Sequence, residues 1–105
     1  MELKNVTVHT RANIRFDGKV IAHTCVHPNG DMLFLGAVMP GTFHGFLLHD
    51  EIFEITDGTV EVTLDGSMDS MTYTTGDRVV LKGNQGFTAT VTDLPCQFLG
   101  TVHPQ

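Results

Sequence analysis

Two side chains in the middle of the chain have the chemistry of a site. His44 and Glu51 can each ligate a metal, move a proton or hold a hydroxyl group, and both lie in a phenylalanine-rich stretch. Period-two alternation puts Thr42, His44 and Phe46 on one face of a strand, with Glu51, Phe53 and Ile55 on one face of the next. A transition metal between them would want three or four nitrogen or oxygen ligands. His44 and Glu51 are what the two strands offer, and His49 sits in the expected hairpin beside Asp50. The expectation is therefore a partly aromatic pocket with no metal and one carboxylate. A carboxylate buried alone costs several kcal/mol, so Glu51 needs a cationic partner, a hydrogen-bond cluster or a ligand. The local alternative is that it accepts from backbone amides of the adjoining hairpin.

Cations for an anionic ligand are confined to one end of the chain. Six Lys and Arg stand against twelve Asp and Glu, a formal charge of −6. That balance argues against a nucleic-acid or anionic-membrane binder. Residues 1–19 hold Lys4, Arg11, Arg15 and Lys19 against Glu2 and Asp17, while the remainder holds Arg78 and Lys82 against ten acids. A small anion would thus be met by Arg15 and Lys19, unless the segment is simply a solvated stretch.

These residues must be positioned by a small fold. A chain of 105 residues, 41% hydrophobic and 17% charged, is expected to be one domain, 1–105, with a true core. Turn signals recur at Asp17-Gly18, Asn29-Gly30, Pro40-Gly41, Asp57-Gly58, Asp65-Gly66 and Gly76-Asp77. Between them Val60, Val62 and Leu64, and then Phe87, Ala89 and Val91, alternate with polar residues, as half-buried strands do. The reading is all-β: a jelly-roll barrel or sandwich of about 8–11 antiparallel strands, with any site inside it or at its mouth. The longest near-apolar run, Met32 to Met39, is strand-sized, and the N-terminus has no apolar signal core. A cytoplasmic protein is expected, with Cys25 and Cys96 as reduced, buried thiols.

The segment from Gly41 to Gly58 resembles the first sequence motif of the cupins, H-x-H, then Glu, then Gly. His44 fills the first histidine, Phe46 replaces the second, Glu51 is the carboxylate and Gly58 closes the turn. In the second motif Gly76 fits the start, but Lys82 and Phe87 stand where proline and histidine would be. The chain as a whole resembles one branch, the short single-domain cupins of the pyrimidine/purine nucleoside phosphorylase family. Ala12-Asn13-Ile14-Arg15-Phe16-Asp17-Gly18-Lys19-Val20 is similar to that family's A-N-x-Y-F-x-G-K-V stretch. Gly36 through Gly41 follows its Gly-rich Met-x-Pro-Gly block, and Glu51, Glu54-Ile55-Thr56, Gly58, Glu61-Val62 and Leu64 match the next block. Cys96-Gln97-Phe98-Leu99 resembles its closing run. Departures are Arg15 for tyrosine, Thr42 for glutamate, His44-Gly45-Phe46 for a polar-aromatic run, and Lys82-Gly83-Asn84 for Val-Pro.

The resemblance implies phosphate-dependent cleavage of nucleosides to free base and ribose 1-phosphate, with inorganic phosphate as co-substrate and no cofactor. It implies cations for phosphate, with Lys19 and Arg15 the candidates and Lys82 third. Glu51 would accept hydrogen bonds from the ribose diol, and Phe16, Phe53 or Phe87 would stack the base. His44 would protonate the leaving base or bond phosphate, or be a pocket-wall histidine. Regular alternation sets Arg15 and Phe16 on opposite faces, so only one of them should line a pocket. The alternatives are a non-catalytic nucleoside-binding cupin and a metal-dependent cupin oxygenase or isomerase. Ile52, pointing away from Glu51, implies an apolar outer face and a homodimer.

Overall fold

The computed structural model describes residues 2–103. Among them lie eleven strands: β1 (Thr7–Val8), β2 (Asn13–Arg15), β3 (Val20–Val26), β4 (Met32–Val38), β5 (Gly41–Leu47), β6 (Asp50–Asp57), β7 (Thr59–Leu64), β8 (Ser70–Thr74), β9 (Arg78–Leu81), β10 (Gln85–Val91) and β11 (Cys96–His103). Every pairing is antiparallel. One sheet runs β1-β3-β4-β11-β6-β9, with β2 also on β3; the other runs β5-β10-β7-β8. From β4 onward the chain changes sheet at each connection except the β7–β8 hairpin. The result is a jelly-roll sandwich rather than a closed barrel, within the expected all-β class.

Alternation decides what each strand buries. On β10 Phe87, Ala89 and Val91 turn inward, and on β7 Val60 and Val62 do the same. Together with Ile55, Val79, Leu81 and Phe98 from the opposite sheet they form one apolar core between the layers. The outer face of the β5-β10-β7-β8 sheet is hydroxyl-rich, with Thr42–Thr90, Thr63–Ser70 and Thr59–Thr74 pairs at 3.0, 2.7 and 3.3 Å. The outer face of the other sheet exposes the apolar side chains of Ile14, Leu35 and Val80, with His23, Glu54 and Arg78 in the same rows. No helix long and apolar enough to cross a membrane is present among the described residues.

Candidate functional site

Between the sheets lies a cavity of about 350 Å³, a size typical of small-molecule sites. Its wall is mostly apolar, and Asn13, Arg15, His49 and Glu51 bring polar groups to it. Glu51 is carried by β6, next to Asp50, and the pleat sends the two carboxylates to opposite faces. Asp50 accepts the Gly83 backbone N–H at 2.8 Å and pairs with Lys82 at 3.8 Å. Local satisfaction in this region therefore falls to Asp50. Glu51, lining the cavity, receives no hydrogen bond and no ion pair within 4 Å from the described residues. Burial pushes its carboxyl above the usual carboxylate range, and the charges of Arg15 and His49 pull it part of the way back.

Arg15 reaches the cavity because of register. It is paired with Val20, which faces Val38 and then Cys96 across the sheet, and this row points inward. Phe16 also lines the cavity, against the expectation that only one of the two would. The reason is a break in alternation. Phe16 and Asp17 take φ of 54° and 55°, and the Gly18 N–H bonds the Arg15 carbonyl at 3.2 Å, the arrangement of a primed hairpin turn. The turn rolls the Phe16 ring back over the sheet, where it stacks on Phe43 at 4.4 Å and 25°. Phe43 in turn meets Phe87 edge-on at 6.0 Å. Gly45 makes room for this group: a Cβ there would stand 2.6 Å from Phe87 and 3.3 Å from Phe16. Phe53 lines the opposite wall, edge-on to Phe98 at 5.4 Å. Cys96 lies at the cavity floor, where burial and then Asp57 raise its thiol, keeping it protonated and a poor nucleophile.

Glu51, Arg15, Phe16, Phe53 and Phe87 thus converge on one cavity, but three expected residues do not. His44 lies on the exterior, where its Nε2 meets the Asp65 carboxylate at 2.9 and 3.0 Å. Strand β5 has the opposite phase from the one expected, with Phe43, Gly45 and Leu47 inward and Thr42 and His44 outward. Cross-strand pairing with Thr88 and Thr90, which also face out, fixes that phase. Lys19 is outside the cavity wall, and its stem runs over Gly41, where an added Cβ would stand 2.9 Å from Cε. Lys82 is held at Asp50. Among the wall residues not foreseen as functional are Phe43 and His49. His49 was expected in a hairpin, but β5 and β6 belong to different sheets. Leu48 and His49 therefore bridge the sandwich and border the cavity.

The residues present do not fit a cupin metal centre. The first-motif histidine position faces solvent, Phe46 and Phe87 occupy two others, and Glu51 is left alone. Among the described residues no group of three or more His, Cys, Asp or Glu could hold a metal ion. The cavity instead combines a stacking surface with a desolvated carboxylate on which the charges of Arg15 and His49 act.

Residues 10–98 match the family model described as pyrimidine/purine nucleoside phosphorylase. The chain is 35% identical to the pyrimidine/purine nucleoside phosphorylase of Methylobacillus flagellatus, over 92% of this chain and 97% of that protein. It is 37% identical to the protein of that name in Methylococcus capsulatus, over 88% of this chain and 89% of the relative. The fold superposes on the crystal structure of a protein of unknown function from Acinetobacter sp. ADP1 with a TM-score of 0.88. That match has 25% identity and covers 97% and 98% of the two chains. A putative ethanolamine utilization protein from Salmonella typhimurium shares the fold alone, at a TM-score of 0.70 and 17% identity over 95% of this chain and 98% of that one. Family model and relatives agree, and the chain belongs to the pyrimidine/purine nucleoside phosphorylase family.

Proposed function

We propose that the protein cleaves purine and pyrimidine nucleosides with inorganic phosphate, releasing free base and ribose 1-phosphate. The observation that carries this reading is Glu51: a half-buried carboxylate, without a hydrogen bond from the described residues, facing a cavity with stacked phenylalanines. A phosphate oxygen attacks the anomeric carbon as the glycosidic C–N bond breaks. The bonding pair leaves with the base, which takes up a proton from solvent. Positive charge develops on the sugar, and the Glu51 carboxylate stabilises it while accepting from the ribose hydroxyls. The Phe16–Phe43 stack gives the base a flat apolar surface. Stacking reads no base edge, which suits both purines and pyrimidines.

In this reading the enzyme is metal-independent and needs no cofactor beyond phosphate. Its acidic surface, at −6 overall, disfavours nucleic acid and anionic membranes. Two free, buried cysteines suit a reducing cytoplasm. The apolar side chains of Ile14, Leu35 and Val80 exposed on the outer face of the β1-β3-β4-β11-β6-β9 sheet support a homodimer.

The test is incubation of purified protein with uridine or adenosine, with and without phosphate, following base and ribose 1-phosphate. Phosphate-dependent release of base is expected. Nucleoside binding in a thermal-shift assay with no product under any phosphate concentration would replace the reading by that of a non-catalytic binding cupin.

A further inference from the structure

We propose that Arg15 and His49 form a phosphate-binding subsite at the border of the cavity. The inference rests on the phosphorolysis reading only for the identity of the anion. The site itself follows from the distribution of charge. Among the residues of the cavity wall, Arg15 and His49 are the two able to present positive charge, and Glu51 is the one carboxylate. They come from separate parts of the fold, Arg15 from the end of β2 and His49 from the bridge between the sheets. Two donors from segments far apart in the chain can approach one tetrahedral anion from different directions, which a pair on one strand would do poorly.

Neither side chain is engaged elsewhere. Among the described residues Arg15 and His49 take part in no side-chain hydrogen bond and no ion pair within 4 Å. A guanidinium carries five donors in a planar fork that matches phosphate oxygens in pairs. A protonated imidazole adds a further donor and further charge. Both line the same cavity as Glu51, and their charges lower its carboxyl against the effect of burial. The anion would therefore lie beside the group that receives the sugar, as attack on the anomeric carbon requires. The other candidates are excluded by position. Lys82 is held by Asp50, and Lys19 runs over Gly41 outside the wall.

The recognised chemistry is a phosphate group, and it has two possible sources: inorganic phosphate, or the 5′-phosphate of a nucleotide. Calorimetric titration separates them without relying on turnover. Inorganic phosphate, uridine and uridine 5′-monophosphate are titrated separately into the wild type and into Arg15→Met, Arg15→Lys, His49→Gln, Lys19→Gln and Lys82→Gln. Loss of a charged hydrogen bond should weaken phosphate about tenfold or more in Arg15→Met and His49→Gln, with uridine changed less than about threefold. Arg15→Lys should recover part of the loss, since it keeps the charge but not the fork. Lys19→Gln and Lys82→Gln should match the wild type. If the monophosphate binds better than uridine and loses that advantage in Arg15→Met while inorganic phosphate is unaffected, the subsite serves a nucleotide. Unchanged affinity for both phosphate ligands in Arg15→Met and His49→Gln would overturn the proposal. So would an equal loss in Lys82→Gln. If the wild type binds phosphate through Arg15 yet releases no base, the subsite stands and the phosphorylase reading fails.

Discussion

Adjacent carboxylates on β6 have opposite roles, and the pleat separates them. Asp50 is committed to the Gly83 amide and Lys82, whereas Glu51 is left for a ligand. Asp50→Ala should destabilise the fold by about 1.5–3 kcal/mol, the range for a hydrogen bond to a charged group, in urea unfolding. Its kcat/KM per folded molecule should change far less than that of Glu51→Gln, expected to fall about 10²-fold or more in a steady-state assay. The two differ in stability as well. Because the Glu51 carboxyl is raised in the folded state, the folded protein holds more protons than the unfolded chain between the two values. Stability therefore falls as pH rises through that window, and it is recovered in acid. Glu51→Gln should melt higher than the wild type above the window, with the advantage lost below it, in a thermal series across pH. Activity should follow the opposite course in the wild type, with the acid limb of kcat/KM lying above the usual carboxylate range. The inward placement of Glu51, Phe53 and Phe87 was legible in the sequence from strand alternation, and for Glu51 a family motif pointed to the same position. His49 was not, because nothing local says that the chain changes sheet at that point.

At the scale of elements, β5 shows how a strand can be recognised and still be read in the wrong phase. Both of its faces carry a phenylalanine, Phe43 and Phe46, and the inward face is interrupted by Gly45, so composition does not choose between them. The choice is made by β10, whose threonines face out and are paired with His44 and Thr42. The alternation of β10 was plain in the sequence, but its partner was not, since register is a property of two strands. The β2–β3 turn is a second case. Asp17-Gly18 marked a turn, and the left-handed Phe16 that swings its ring into the cavity carries no residue-level signal. Gly45 now gives the aromatic group a testable dependence. In Gly45→Ala the new methyl meets the Phe87 and Phe16 rings at 2.6 and 3.3 Å. Overpacking of that kind costs about 1–3 kcal/mol. The variant should unfold at lower urea, and its KM for nucleoside should rise by a larger factor than its KM for phosphate.

At the scale of the whole molecule, the sandwich has two unlike outer faces. One is a hydroxyl array around Thr42, Thr90, Thr63 and Ser70, satisfied within itself. The other exposes Ile14, Leu35 and Val80, at 65%, 44% and 48%, on a single sheet surface. A second copy packed on that surface would remove this apolar area from water at about 25 cal/mol per Å². It would also bear on the site. Strand β2 is three residues long and pairs with β3; its Ile14 points outward while Asn13 and Arg15 line the cavity. Covering Ile14 in such a dimer would steady the strand that delivers Arg15. Leu35→Arg tests both consequences, because Leu35 lies on the outer face of β4 and is not part of the cavity wall. Light scattering should give twice the 11.5 kDa chain mass for the wild type and one chain for the variant. The wild-type melting temperature should rise with protein concentration, and that of the variant should not. KM for phosphate should rise in the variant more than KM for nucleoside, since Arg15 is the group whose strand loses its cover. A variant that stays dimeric would place the interface elsewhere, and a monomer with unchanged KM for phosphate would separate the assembly from the site.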